Sequence, residues 1–275
     1  YILIMSELKM FCITIYENHC EKINKLNYLP VGLGGEISSP KFLRDNSGLN
    51  ISKKNPNYGE YTFHYWLWKN GYKNLESGWT GFCQYRKFWS LQKNTSKLNN
   101  LSDLNKLILK KIPENLQDFE CILGEPLYIN SFKPVKFLKK NFSKILKNPT
   151  LFFDKNKRNI NFHFDLMHGE GNLRKAIALL GKNDQQDFFN FVNSEVCFNP
   201  HNMFICKSKE TLFEYYNTIF PWLEKCEKEF GFDLDGYGLK RIYGFLAERF
   251  LSYWFKKNTK FSTLPIIYKD ISELN

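Results

Sequence analysis

The stretch NISKKNPNYGEYTFHYWLWKN (residues 50–70), followed by WTGFCQYRKFW (residues 79–89), sets a helix and a strand back to back. Tyr61, Tyr65 and Trp68 recur at helical spacing, which predicts a helix over Tyr58–Asn70 with Gly71 as its stop. Trp79–Tyr85 reads as a short buried strand. Its end delivers Tyr85, Arg86 and Lys87 to the place where open α/β sheets bind ligands. Aromatic rings, amides and fixed charges crowd this stretch more densely than a core requires. Aromatic faces stack on sugars or bases, amides bond hydroxyls in both directions, and Arg or Lys neutralises phosphate, so the chemistry suits a carbohydrate or nucleotide-sugar site. A Trp-rich amphipathic helix beside a buried strand is the plainer explanation of the same stripe.

Working outward, Met10–Tyr16 is apolar and β-branched enough for a buried first strand that ends at the polar cluster Glu17-Asn18-His19. Tyr28–Pro40 is turn-rich, and its glycines fit neither a dinucleotide fingerprint nor a P-loop. A helix is expected over Ser102–Lys111, a strand over Phe119–Leu123 and a helix over Val135–Leu146. Beyond Pro149 the pattern predicts helices at 171–180, 184–193, 209–229 and 238–256, with the strand-like Met203–Cys206 between them. Leu264–Tyr268 is a last strand, confined by Pro265 to a sheet edge. The alternation specifies an α/β fold with a mostly parallel central sheet and a helical C-terminal layer. One domain is expected, with a ligand-binding α/β half over residues 1–148 and a mainly helical half over 149–275.

Composition narrows the function. The 275 residues carry a formal charge of +11, from lysines scattered along the chain rather than gathered in one arm. That balance suits an anionic substrate, or a peripheral contact with an anionic membrane. Nucleic acid is not an expected partner, since no zinc-finger spacing, RNA-binding aromatic motif or helix-turn-helix pattern accompanies the charge. Seven cysteines, an odd number in mostly apolar runs, read as buried reduced thiols of a cytoplasmic protein. No apolar run reaches the ~18 residues that span a bilayer, and Ser6, Glu7 and Lys9 break the opening segment, so no signal peptide is expected. The start at Tyr1 rather than Met is read as excision from a longer polypeptide.

Four blocks in order, residues 50–70, GFCQYRKF (81–88), FNPHNMFICKS (198–208) and GLKRIYGFLAERFLSYW (238–254), resemble the bacterial family called domain of unknown function 4422. That family is glycosyltransferase-like. The resemblance implies a Rossmann-type GT-A-like fold and transfer of a sugar, galactose or galactofuranose in some members, from a nucleotide-sugar donor. The acceptor would be a capsular or lipopolysaccharide glycan. Tyr16-Glu17-Asn18-His19, Gly59-Glu60-Tyr61-Thr62 and Gln84-Tyr85-Arg86-Lys87-Phe88-Trp89 depart from the family's usual wording, which bears on donor choice more than on fold.

A transferase of this kind stabilises a departing diphosphate, commonly through a divalent metal on an Asp-x-Asp turn at a strand end. Tyr85-Arg86-Lys87 stands there instead, so fixed cations are expected to hold a UDP-linked donor with no obligatory metal or other cofactor. Asp233 and Asp235 form the weaker metal candidate, in a Gly-rich loop that a cap or turn also explains. Asn50, Ser52, Lys54, Asn55 and Glu60, ahead of the aromatic helix, are candidates for phosphate, ribose or sugar hydroxyls, or else for simple capping. For the base that takes the acceptor proton the candidates are His168 with Glu170, and Glu248. Arg249 beside Glu248 reads as an ion pair bracing the donor pocket. Trp66, Asn199, His201 and Asn202 are the acceptor-side candidates, with an ordinary polar turn as the other explanation of the last three. A non-catalytic glycan-binding module would keep the aromatic platform without needing Arg86, Lys87 or His168.

Overall fold

The computed structural model describes residues 7–34, 37, 39–71, 75, 78–93, 98–130 and 154–275. Its centre is a sheet built on β1 (Leu8–Thr14), β2 (Leu29–Gly32), β3 (Leu43–Arg44), β4 (Trp79–Gln84), β6 (Cys121–Gly124), β9 (Phe204–Cys206) and β10 (Phe261–Leu264). Across the sheet the order is β10-β6-β9-β4-β1-β2-β3. All pairings along that path are parallel except the two made by β9, which runs antiparallel between β4 and β6. β5 (Lys87–Trp89) folds back on β4 and pairs in turn with β11 (Ile266–Tyr268), and β7 (Leu127–Tyr128) with β8 (Cys197–Phe198) makes a separate ribbon.

Strand residues alternate between faces, and both faces are buried. Phe11, Ile13, Phe82, Leu123 and Phe204 enter one core, packed against the C-terminal helices. Their neighbours Met10, Cys12, Cys83, Ile122 and Ile205 enter the other, with Leu101, Leu104, Ile271 and Leu274. This two-sided burial explains why β1, β4 and β9 read as nearly continuous apolar runs. The described helices are α1 (Cys20–Lys25), α2 (Asn55–Tyr58), α3 (Tyr61–Asn70), α4 (Leu101–Leu107), α5 (Ile160–His168), α6 (Asn172–Ala178), α7 (Lys182–Ser194), α8 (Lys209–Phe230), α9 (Tyr237–Lys240) and α10 (Ile242–Asn258). Thirteen of the seventeen residues of α10 are buried, as expected of a helix that is apolar on almost every side. None of the described helices is long and apolar enough to cross a membrane.

Several elements differ from the sequence expectation. The turn-rich segment holds β2, and β3 follows it; proline and glycine masked a short parallel strand whose partners are all nonlocal. The aromatic helix is split, because Gly59 takes φ +58° and separates α2 from α3. The expected 238–256 helix breaks at Arg241. Pro265 divides the last strand into β10 and β11. His168, a candidate base, ends α5, a helix that was not expected. The helix expected over Val135–Leu146 lies outside the described residues. Of the seven cysteines six are buried and Cys197 is half-buried, all as free thiols.

Candidate functional site

Between β1 and β4 the direction of winding reverses: the chain goes on from β1 to β2 on one side, and β4 lies on the other. A crevice opens at the carboxyl ends of two such strands, because their crossovers leave in opposite directions. Here it is an open cleft. Ile13, Thr14 and Ile15 end β1 along one wall, and Gln84, Tyr85 and Arg86 end β4 along the other. Asn55, Gly59 and Glu60 ahead of α3 and Arg241 at the α9–α10 break close it.

Local structure aims these groups. Tyr85-Arg86 is a two-residue reversal between Gln84 and its partner Lys87. The C-terminal segment clamps it, since Lys269 N–H donates to Arg86 O and Ile271 N–H to Tyr85 O, both at 3.1 Å. The exposed Arg86 guanidinium is thereby carried on a fixed backbone. Gly59 leaves room for Arg241: a Cβ there would lie 2.3 Å from the guanidinium Nη2. His19 braces the β1 end, with its Nδ1 2.8 Å from Thr14 Oγ1 and its Nε2 2.8 Å from Ser272 Oγ.

A polar network ties the walls together. Glu60 Oε2 lies 3.6 Å from Arg241 Nη2, and Glu60 Oε1 accepts from Asn202 Nδ2 at 2.8 Å. Lys87 Nζ donates to Gln84 Oε1 at 3.0 Å, and Gln84 Nε2 donates to His201 O at 3.0 Å. His201 N–H donates to Glu248 Oε1 at 2.5 Å, while Glu248 Oε2 pairs with Arg249. His201 and Asn202 hold φ of +77° and +54°, a left-handed conformation that is uncommon outside glycine and that clusters at functional sites. The buried Asn202 Oδ1 has no hydrogen-bond donor among the described residues. Burial lowers the Lys87 ammonium pKa; Glu60 and Glu248 pull it back up, and Arg86 and Arg241 push it further down. Burial, with Lys87 and Arg86 nearby, lowers His201 to about 3 and keeps its imidazole neutral.

Asn55, Glu60, Tyr85 and Arg86 of the sequence candidates line the cleft, and Lys87, His201, Asn202 and Glu248 sit in the network directly behind it. The others are engaged elsewhere. Asn50 Oδ1 accepts from Ser52 N–H and Oγ in a local turn, and Lys54 pairs with Glu227 at 2.7 Å. Trp66 stacks on Phe63 and donates to Ser47 Oγ at 2.9 Å. His168 is buried, with its ring 4.0 Å from that of Phe245 and its Nδ1 3.0 Å from Gly238 O. Its pKa falls to about 3, chiefly by burial, so it is a core histidine rather than a base facing this cleft. Glu170 is exposed on the turn after α5 and is not a cleft residue. Arg249 is buried 4.0 Å from the centre of the Phe198 ring, and Asn199 Nδ2 donates to Gly124 O at 2.6 Å. The aromatic stripe of α3 is core as well: Tyr61 and His64 bond Tyr215 and Tyr216 of α8.

Arg241, Thr14 and Gln84 were not singled out by sequence reasoning. The signal for Arg241 was the basic pair Lys240-Arg241 directly ahead of a long, largely apolar helix. The acid on the cleft walls, Glu60, is shared between Arg241 and Asn202, and cations stand at the β4 end where an Asp-x-Asp turn would be. Asp233 and Asp235 are exposed, and the described residues hold no cluster of three His, Cys, Asp or Glu placed for a metal ion.

No curated protein matches the chain. A solved structure described as the apo form of WbbM, a bifunctional glycosyltransferase, superposes with TM-score 0.67 at 18% identity. The superposition covers 96% of this chain and 45% of that one, so this chain spans less than half of its neighbour's length. At that identity the likeness establishes a shared fold, the α/β architecture with a mostly parallel central sheet expected from the sequence. The profile of the family described as Domain of unknown function (DUF4422) matches residues 12–259, from within β1 to just past the end of α10, and the chain belongs to that family.

Proposed function

We propose that this chain is a glycosyltransferase that holds a nucleoside diphosphate sugar, UDP-linked, in the β1/β4 cleft and passes the sugar, galactose or galactofuranose, to a capsular or lipopolysaccharide glycan. The observation that carries this reading is the convergence of Arg86 and Arg241 on the strand-end crevice where open α/β sheets bind ligands, with Lys87 directly behind them. In the transfer, an acceptor hydroxyl oxygen bonds to the anomeric carbon as the bond from that carbon to the diphosphate oxygen breaks. The electron pair leaves on the diphosphate, whose charge grows by one. Arg86 and Arg241 line the space where this charge develops, and fixed cations in a partly desolvated cleft need little rearrangement to meet it. The hydroxyl proton goes to Glu60, the carboxylate on the cleft wall, which Arg241 and Asn202 hold in place. The likeness to a bifunctional glycosyltransferase supports the class, and the charge of +11 suits work beside an anionic membrane carrying lipid-linked acceptors.

The test is a thermal-shift series with UDP, GDP, CMP and their sugars, each in EDTA and in manganese. UDP is expected to raise the melting temperature in EDTA, and Arg86→Ala to abolish the shift. Glu60→Gln is expected to keep the shift and lower turnover by roughly 10²–10³-fold. No shift with any nucleotide, alongside retained glycan binding, would replace this reading with a non-catalytic glycan-binding module.

A further inference from the structure

Sugar transfer needs a second substrate beside the first, and the residue types expected to receive it, Trp66 and Asn199, are committed to packing and to the core. A second, open hollow lies one residue away from the donor cleft. The link is explicit in the hydrogen bonds. Gln84, on the cleft wall, donates to His201 O at 3.0 Å, and His201 Nε2 meets Tyr268 OH at 2.7 Å; Tyr268 lines the second hollow. Tyr268 also lies opposite Lys87 in the β5–β11 register, so the strand that leaves the cationic turn is paired with the strand that carries the hollow's ring.

We infer that the hollow formed by Glu125, Leu127, Pro200, Ile266 and Tyr268 is the subsite for a neutral sugar ring of the acceptor, with the Tyr268 ring as its stacking face. Tyr268 is 64% exposed and Leu127 46%, so the apolar surface is uncovered. A sugar presents C–H groups to such a face while its hydroxyls reach outward. Glu125 supplies the polar side. Among the described residues its carboxylate is paired only with the exposed Lys93 at 3.0 Å, a contact worth little in water, so its oxygens can turn to sugar hydroxyls. Lys93 lines the hollow as well, so its rim carries one charge of each sign, which suits a neutral sugar rather than a charged one. The strained His201 forms the partition, with its carbonyl toward the donor side and its ring toward Tyr268, which fixes the distance between the two substrates.

This inference rests on the donor reading of the cleft, and one experiment separates the two. Saturation-transfer NMR on the whole chain would use the methyl glycosides of glucose, galactose, mannose and N-acetylglucosamine, and separately UDP. At least one glycoside is expected to give a signal that falls roughly tenfold in Tyr268→Ala and survives in Tyr268→Phe and Arg86→Ala. Leu127→Asp, on an exposed ribbon, gives a second measure of the same loss should Tyr268→Ala fail to fold. The UDP signal is expected to persist in Tyr268→Ala and Leu127→Asp and to vanish in Arg86→Ala. No glycoside signal on the unaltered chain, or one indifferent to Tyr268→Ala and Leu127→Asp, overturns the subsite. A glycoside signal that depends on Tyr268 without any UDP signal upholds the subsite and overturns the donor reading instead.

Discussion

Gly59 shows how one residue connects chain geometry to charge. Its φ of +58° breaks α2 from α3, and the missing Cβ admits the Arg241 guanidinium beside Glu60. Gly59→Ala combines a disfavoured conformation with a clash, and an expected loss of about 1–3 kcal/mol is measurable by urea denaturation. Because Arg241 must move, nucleotide binding falls further than the lost stability explains, which a thermal shift with UDP reads directly. Glu60, Tyr85, Arg86 and Lys87 were legible as candidates since they stand at predicted element ends. Lys54 and His168 were misleading for a shared reason: the groups that engage them, Glu227 and Phe245, are remote in sequence.

At the scale of elements, strands buried on both faces were easiest to recognise and short strands with nonlocal partners were hardest. β4 and β9 needed only an apolar run, whereas β2 is Leu-Pro-Val-Gly and becomes a strand because β1 and β3 flank it. α5, with residues Ile160–His168, was hidden by its asparagine and histidines, though Asn159 caps it by accepting from Phe162 N–H at 2.9 Å. α8 carries a different anomaly, Pro221 in the interior of a 22-residue helix. Proline removes one backbone donor and crowds the carbonyl four residues earlier. Since Pro221 is exposed, no packing is lost when it is replaced. Pro221→Ala is therefore expected to stabilise the protein by roughly 1–3 kcal/mol, seen as a raised denaturation midpoint with an unchanged slope.

For the molecule as a whole, buried histidines set the acid limit. His64 is fully buried, and burial lowers its pKa from 6.5 to about 3; His163, His168 and His201 shift the same way. The unfolded chain takes up a proton near pH 6.5 that folded His64 refuses until about pH 3, so stability is intact above pH 6.5 and is lost as pH falls below it. For His64 alone the slope is about 1.4 kcal/mol per pH unit, or roughly 2 kcal/mol between pH 6.5 and 5. Urea midpoints at the two pH values check this, and His64→Gln is expected to flatten that share of the dependence.

The residues alone determined the α/β class, the order of the main elements and the family, because these rest on local periodicity and on contiguous blocks such as residues 50–70 and 238–254. They also placed Arg86 and Lys87 at a strand end, since a strand and its terminus are local features. Only the tertiary structure decided that the aromatic helix is core, that Arg241 joins Glu60, and that His201 stands between two hollows. Those facts depend on which distant segments meet: β9 inserted between β4 and β6, and the α9–α10 break at Arg241 set against Glu60. A side chain's role in a site is fixed by partners remote in sequence, as Asn202 is from Glu60 and His201 from Gln84, and no local pattern encodes that meeting.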